Sequence, residues 1–406
     1  MSDVREKSSG FIALEEEYGA HNYHPLDVVV HRADGVWLYD VDGNRYLDCV
    51  SAYSAVNQGH GHPKIREALF EQARRVTLTS RAMRNDRMPE FLKALTGLCG
   101  FEMALPMNTG VEAVETAIKL ARRYGYERKD IAPGKAEIVV FNNNFHGRTT
   151  AAISASSTEE YRRNFGPFTP GFVHVPYGDF AALESAVNEN TCAILIEPIQ
   201  GEGGVIVPPG GFLKRAWGLC REHRILFMAD EIQTGLGRTG DLFACDHEGV
   251  KPDVLIVGKA LGGGFYPVSA VLSGRDLMLL FRPGEHGSTF GGNPLGSAVA
   301  IAAMQVIQDE HLAANARYAG AKIVQAIRGF KDAPIVEVRG RGLLIGIELT
   351  VPAREVSERL LRLGVVAKDT HAMVLRIAPP LTIGDDEIEY LIERLASVLC
   401  TPSSTP

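Results

Sequence analysis

The sequence predicts an α/β protein: a mostly parallel sheet covered by helices on both faces, followed by a smaller α+β domain. Three observations carry that reading. Short apolar runs alternate with helical stretches through the middle of the chain, and the runs are continuous rather than alternating, as strands buried on both faces are. After about residue 295 the pattern changes to a long small-residue helix, two isolated strands and a closing amphipathic helix.

Taken in order, the first 50 residues hold a hairpin-like stretch, 35–48. Strands are expected at 137–142, 172–176, 192–197, 225–230, 253–258 and 268–273, with helices at 111–124 and 212–223 among them. Beyond residue 295 come a helix over 296–309, strands at 342–349 and 374–377, and a final helix. In that last helix Ile388, Leu391, Ile392, Leu395, Val398 and Leu399 share one face by their spacing of 3, 4 and 7. The expected division is 1–50 as an N-terminal segment packing with the small domain, 51–295 as the large domain and 296–406 as the small one. The Ser/Thr/Pro-rich tail 401–406 is expected to fray.

Composition narrows the function classes. With 42 basic against 49 acidic residues the net charge is −7, so the chain carries no footprint for nucleic acid or for an anionic membrane. No apolar run reaches the roughly 18 residues of a membrane span. Six cysteines without a C-x-x-C pair fit reduced thiols in a cytoplasmic protein better than a disulfide frame or a zinc site. The first residues mix charges and lack an apolar core, unlike a signal or transit peptide. Small molecules are the default partners.

The stretch 253–264 reads as a buried strand that ends in Lys259 and breaks into glycines. A lysine there either ends the strand in water or is chemically employed, because a desolvated amine loses basicity and becomes a nucleophile toward carbonyl carbon. Asp230 ends the strand before it, 29 residues earlier, a separation that suggests a helix-containing crossover between parallel neighbours. A buried carboxylate needs a cationic partner, and a protonated pyridine nitrogen is one. An aldehyde for the lysine and a ring nitrogen for the aspartate describe pyridoxal phosphate (PLP). Its phosphate needs donors, which Thr109, Gly110 and Val111 could supply at a helix start, although the same residues also fit an ordinary helix cap. Thr289, in the glycine-rich stretch 284–294, is a second source.

With these residues in hand, the chain resembles the class III, fold-type I PLP aminotransferases over about residues 15–380, and within them the ornithine-specific branch. The resemblance rests on Ala229-Asp230-Glu231-Ile232-Gln233-Thr234-Gly235, on Lys259 in its strand-end setting, on Glu197-Pro198-Ile199-Gln200-Gly201-Glu202, and on the loop from His286 to Pro294. It implies a seven-stranded, mostly parallel sheet in the large domain. It also implies that Lys259 forms the Schiff base with PLP, Asp230 pairs with the ring nitrogen, Gln233 donates to the ring hydroxyl and Phe145 stacks on the ring. Gly110 and Val111 would hold the phosphate through their backbone, and Thr289 would do so from a neighbouring subunit, making a homodimer or a dimer of dimers. His146 departs from relatives that have Trp there.

Substrate choice in this resemblance falls to carboxylate clamps. Arg148 and Arg376 are the candidates, since arginine offers a rigid fork matched to a carboxylate; on the residues alone, Arg376 in its apolar strand reads equally as structural. The resemblance pairs Arg376 with Glu202, sends the α-carboxylate of ornithine to Arg148, and lets both arginines hold 2-oxoglutarate. Tyr23 and Tyr53, otherwise packing residues, would line the substrate cavity. Other ω-amino donors (acetylornithine, 4-aminobutyrate, lysine), an aminomutase or decarboxylase on the same scaffold, and a catalytically silent binding protein remain the alternatives.

Overall fold

A computed structural model describes residues 5–400, so the tail 401–406 lies outside the described residues. Its core is a seven-stranded sheet. An N-terminal hairpin comes first, with β1 (Val30–Asp34), β2 (Trp37–Asp40) and β3 (Arg45–Asp48). The central sheet follows: β4 (Met103–Met107), β5 (Glu137–Phe141), β6 (Phe172–Val175), β7 (Thr191–Ile196), β8 (Leu226–Asp230), β9 (Val254–Val257) and β10 (Ser269–Ser273). Its order is β4-β10-β9-β8-β7-β5-β6. The pairs from β6 across to β9 are parallel, and β10 runs antiparallel to both β9 and β4.

Every residue of β7, β8, β9 and β10 is buried. Alternate side chains enter two separate cores: Phe227, Ala229, Leu255 and Val257 on one face, Leu226, Met228, Val254 and Ile256 on the other. That two-sided burial is why these segments read as unbroken apolar runs. The second core is capped by the helix Gly110–Arg128, which presents Ala113, Val114, Ala117, Ile118 and Ala121 to the sheet.

The last part of the chain adds β11 (Ile335–Arg341), β12 (Leu344–Leu349), β13 (Val365–Val366), β14 (Lys368–Thr370) and β15 (Val374–Ile377). Four of them form a sheet in the order β11-β12-β15-β14, while β13 leaves to pair in parallel with β3. The N-terminal hairpin is thereby completed by residues more than 300 positions away.

Two expectations need correction. The connection from β8 to β9 holds a short 3-10 turn, Ala244–Glu248, where a helix-containing crossover was expected; the 23-residue link is filled instead by a glycine-punctuated loop, 233–243, folded against the C-terminal sheet. The edge strand β4 was not foreseen, because Pro106 sits inside it; an edge tolerates proline.

The loop after β8 is locked by Arg238, which has no exposed surface. Its guanidinium donates to the carbonyls of Leu343 (2.9 Å) and Pro379 (2.6 Å) and to Asn57 Oδ1 (2.6 Å). Burial without a bonded carboxylate pulls its pKa down to about 9. Beside it, Gly342 at φ 54° rests on the backbone of this loop: a Cβ there would lie 2.4 Å from Thr239 C and 2.6 Å from Gly240 N. Gly320 in turn lets the helix Leu312–Arg328 touch Gly342, whose carbonyl oxygen would stand 1.9 Å from an added Cβ.

Candidate active site

The carboxyl ends of β5, β7, β8 and β9 meet in one cavity, lined by Gly110, Val111, Phe145, His146, Gly147, Glu197, Ile199, Asp230, Ile232, Gln233, Thr234 and Lys259. Open α/β sheets place their ligand sites there. Asp230 is the last residue of β8, Glu197 follows β7, and Lys259 follows the glycine that comes directly after β9. Lys259 adopts a left-handed φ of 46°, a conformation that costs a non-glycine residue on the order of 1 kcal/mol and turns the chain sharply out of the strand. Gly258 before it is extended (φ −172°).

Among the described residues no acid is ion-paired to Lys259. Burial lowers its pKa to about 8, with Glu202 opposing and Arg376 reinforcing the effect. Asp230 is buried and accepts from the Ile232 amide (3.2 Å), while its other oxygen lies 2.7 Å from His146 Nδ1. Burial disfavours the charged His146 ring, but the bond to Asp230 and its charge hold the pKa above the ordinary histidine value. His146 Nε2 is buried without a hydrogen-bond partner among the described residues. Glu197 accepts from the Phe145 amide (2.8 Å), and burial raises its carboxyl to about 7.

The donor set fits PLP. A buried amine of lowered basicity, a buried carboxylate, the aromatic Phe145 and the start of the helix Gly110–Arg128 line one cavity. Gly110 admits a close wall, since a Cβ there would already lie 3.0 Å from Ile232 Cδ1. Thr109 does not line it: its hydroxyl oxygen caps the helix by accepting from the Glu112 amide (3.4 Å), and the Glu112 carboxylate accepts in return from the Thr109 amide (2.6 Å), a reciprocal capping box. Thr289 is also absent from this wall and is exposed on the loop after Gly287, where Ser288 bonds Asn108 (2.8 Å).

Next to the cavity, Arg376 is 2% exposed and donates to Glu202 at 2.6 Å. Burial pushes the Glu202 carboxyl up, but the charge and bond of Arg376 outweigh it and leave the pKa below the usual glutamate value. Gln233 bridges the pair, giving Nε2 to Glu202 (3.2 Å) and taking from Arg376 (3.4 Å). Gly201 makes room for it: a Cβ at Gly201 would fall 1.8 Å from Gln233 Oε1. Tyr53 stacks on Arg376, ring centroid 4.6 Å from Cζ. It is presented by Ser51–Ser54, four consecutive non-glycine residues at positive φ. The turn is held by Asp48, which accepts from the Val50 and Ser51 amides, and by Ser51 Oγ donating to Ala378 O (2.7 Å).

Arg148 contrasts with Arg376. No acid pairs with it among the described residues; its guanidinium lies over Tyr161 (3.8 Å) and Phe145 (5.3 Å). It lines a second cavity with Asn22, Tyr23, Glu160 and Tyr161. Tyr23 is 78% exposed at that rim. Of the residues singled out in the sequence, Lys259, Asp230, Gly110, Val111, Phe145 and Gln233 share the first cavity, Glu202, Arg376 and Tyr53 adjoin it, and Arg148 and Tyr23 share the second. Glu197 and Tyr161 were not assigned roles; Glu197 stood inside a recognised motif, but nothing in the sequence brings Tyr161 to Arg148.

Comparison with known proteins agrees with this geometry. The aminotransferase class-III family profile matches residues 18–399. An ornithine aminotransferase of Bacillus cereus (strain Q1) is 53% identical over 393 residues, covering 97% of this chain and 99% of its own. The ornithine aminotransferase of Toxoplasma gondii, crystallised with partial occupancy of PLP at its active site, superposes with a TM-score of 0.95 at 44% identity, covering 97% of this chain and 94% of its own. An acetylornithine aminotransferase of Elizabethkingia anophelis superposes at 0.88 with 48% identity, over 97% and 98% of the two chains.

Proposed function

From the premise that this chain belongs to the class-III aminotransferases, a PLP-dependent family of fold type I, we propose that it is an ornithine δ-aminotransferase. It would move the δ-amino group of L-ornithine to 2-oxoglutarate, giving glutamate 5-semialdehyde and glutamate. One observation carries the choice of an ω-amino donor: of the two arginines beside the cavity, Arg376 is covered by Glu202 and Arg148 is not. A donor with one carboxylate then docks at Arg148 and extends its far amine toward Lys259. An acceptor with two carboxylates needs Glu202 to give way, so that both arginines bind.

PLP, when bound, supplies an aldehyde carbon for the amine and a ring that accepts electron density from the substrate carbon. Lys259 would anchor it, Asp230 would keep a proton on its ring nitrogen, Phe145 would cover its face and Gln233 would reach its ring hydroxyl. Gly110 and Val111 would present amides to its phosphate, and Thr289 of a second subunit would add a hydroxyl. Once substrate occupies the site, Lys259 Nζ, its basicity lowered by burial, serves as general base in its neutral form and takes a proton from the substrate carbon. His146, bonded to Asp230, fixes the orientation of that carboxylate. The division we propose, 51–295 for cofactor and 296–406 with the N-terminal segment for closing the substrate side, follows from where these residues fall.

The similarity to an acetylornithine aminotransferase supports a second donor, and a panel decides between them. At matched concentration L-ornithine is expected to bleach the cofactor band and turn over with 2-oxoglutarate faster than N-acetylornithine, 4-aminobutyrate or lysine. Faster turnover of N-acetylornithine overturns the assignment; turnover independent of 2-oxoglutarate overturns the reaction type.

A further inference from the structure

Near Arg148 the chain makes one turn of helix, Glu159–Arg162, whose first three side chains have three different fates. Glu159 is taken by Arg163 (3.1 Å). Tyr161 supports the Arg148 guanidinium at 3.8 Å. Glu160, between them, has no cationic partner among the described residues, yet it lines the same cavity as Arg148, Tyr23 and Asn22. The turn is not loosely placed, since Arg162 ties it to the carbonyls of Ser154 (3.2 Å) and Ser156 (2.6 Å). Glu160 and Arg148 thus stand on one cavity wall without closing on each other, each with its charge uncommitted.

A free cation and a free anion on one wall are complementary to a molecule that carries both charges on neighbouring atoms. Arg148 alone reads a carboxylate and treats all ω-amino acids alike. A carboxylate beside it adds a test for an α-ammonium, which ornithine and lysine have and which 4-aminobutyrate and N-acetylornithine lack. We propose that Glu160 and Arg148 together form a receptor for the zwitterionic α-amino-acid end of the donor, with Glu160 accepting from the α-ammonium group. Glu160 is a specificity residue at the far end of the substrate and takes no part in proton transfer. The receptor rests on the ornithine reading above.

The test compares wild-type holoenzyme with Glu160→Gln, using L-ornithine, 5-aminovalerate (ornithine without its α-amine) and 2-oxoglutarate. For an exposed charge meeting a charged ligand the KM for ornithine is expected to rise about three- to tenfold with kcat little changed. KM for 5-aminovalerate and for 2-oxoglutarate, neither of which brings an α-ammonium to this wall, should stay put. The wild-type preference for ornithine over 5-aminovalerate therefore shrinks in the variant. An unchanged preference, or all three constants rising together as a structural defect would make them, overturns the receptor while leaving the donor assignment intact. A wild-type enzyme that uses no ornithine overturns the donor assignment itself, and the receptor with it.

Discussion

At the scale of single residues, the chemistry depends on Lys259 being held in a conformation and an environment that lysine avoids. Its left-handed backbone turns it out of β9 toward the cavity, and burial lowers its pKa to about 8. The neutral amine is the form that attacks an aldehyde, and its fraction grows as pH rises through about 8. The rate at which the cofactor-free protein takes up PLP is therefore expected to climb with pH and level off above that value, as followed by stopped-flow absorbance at the cofactor band. A rate that keeps climbing through pH 9 without levelling, as an amine of ordinary lysine pKa would make it, argues against a lowered lysine. Lys259→Ala should reduce turnover by at least about a thousandfold, the order of loss for removing an acid–base group, with the circular dichroism spectrum retained. Lys259 and Asp230 were legible in the sequence because each is a polar residue ending a continuous apolar run. The support of Arg148 by Tyr161 was not, since 12 residues of loop and short helix lie between them and no periodicity links the two.

At the scale of elements, the strands and helices of the central sheet were legible because burial on both faces writes itself into sequence as unbroken runs of Val, Ile, Leu and Ala. The link from β8 to β9 was not, because a length compatible with a helix does not require one, and glycines at 235, 237 and 240 break it. The left-handed turn Ser51–Ser54 was also invisible: none of its residues is glycine, and its conformation is imposed from outside by Asp48 and Ala378. Where a glycine is required, the reason is contact. Gly342 meets the backbone of residues 238–240, which cannot retreat without breaking the Arg238 bonds. Gly342→Ala is expected to lower stability by about 2–4 kcal/mol, from overpacking together with the positive φ. In a thermal melt of the holoenzyme that is a fall of several degrees; a melt within about one degree of wild type would mean that the loop yields.

At the scale of the whole molecule, the cavity of one chain holds every proposed cofactor residue except Thr109, engaged in its helix cap, and Thr289, exposed on its loop. If Thr289 serves a second subunit, the two defects Lys259→Ala and Thr289→Ala complement each other. Each alone is impaired at limiting PLP, but mixed dimers contain one site with both residues intact. Mixing the two variants under conditions of subunit exchange should restore activity to a substantial fraction of wild type, whereas a threonine acting within its own chain gives no recovery. The Arg238 junction has a different reach. It joins residues 57, 238, 343 and 379, and Arg376 lies three positions before the last of these. A chain emerging from the ribosome can lay down β5 to β9 early, yet two of the three acceptors of Arg238, the carbonyls of Leu343 and Pro379, do not exist until residues 343 and 379 are out. The cofactor pocket and the carboxylate clamp therefore mature at different moments of synthesis, and a nascent chain halted before β15 would carry a buried-type arginine still open to water and a lysine with no substrate side to select what reaches it.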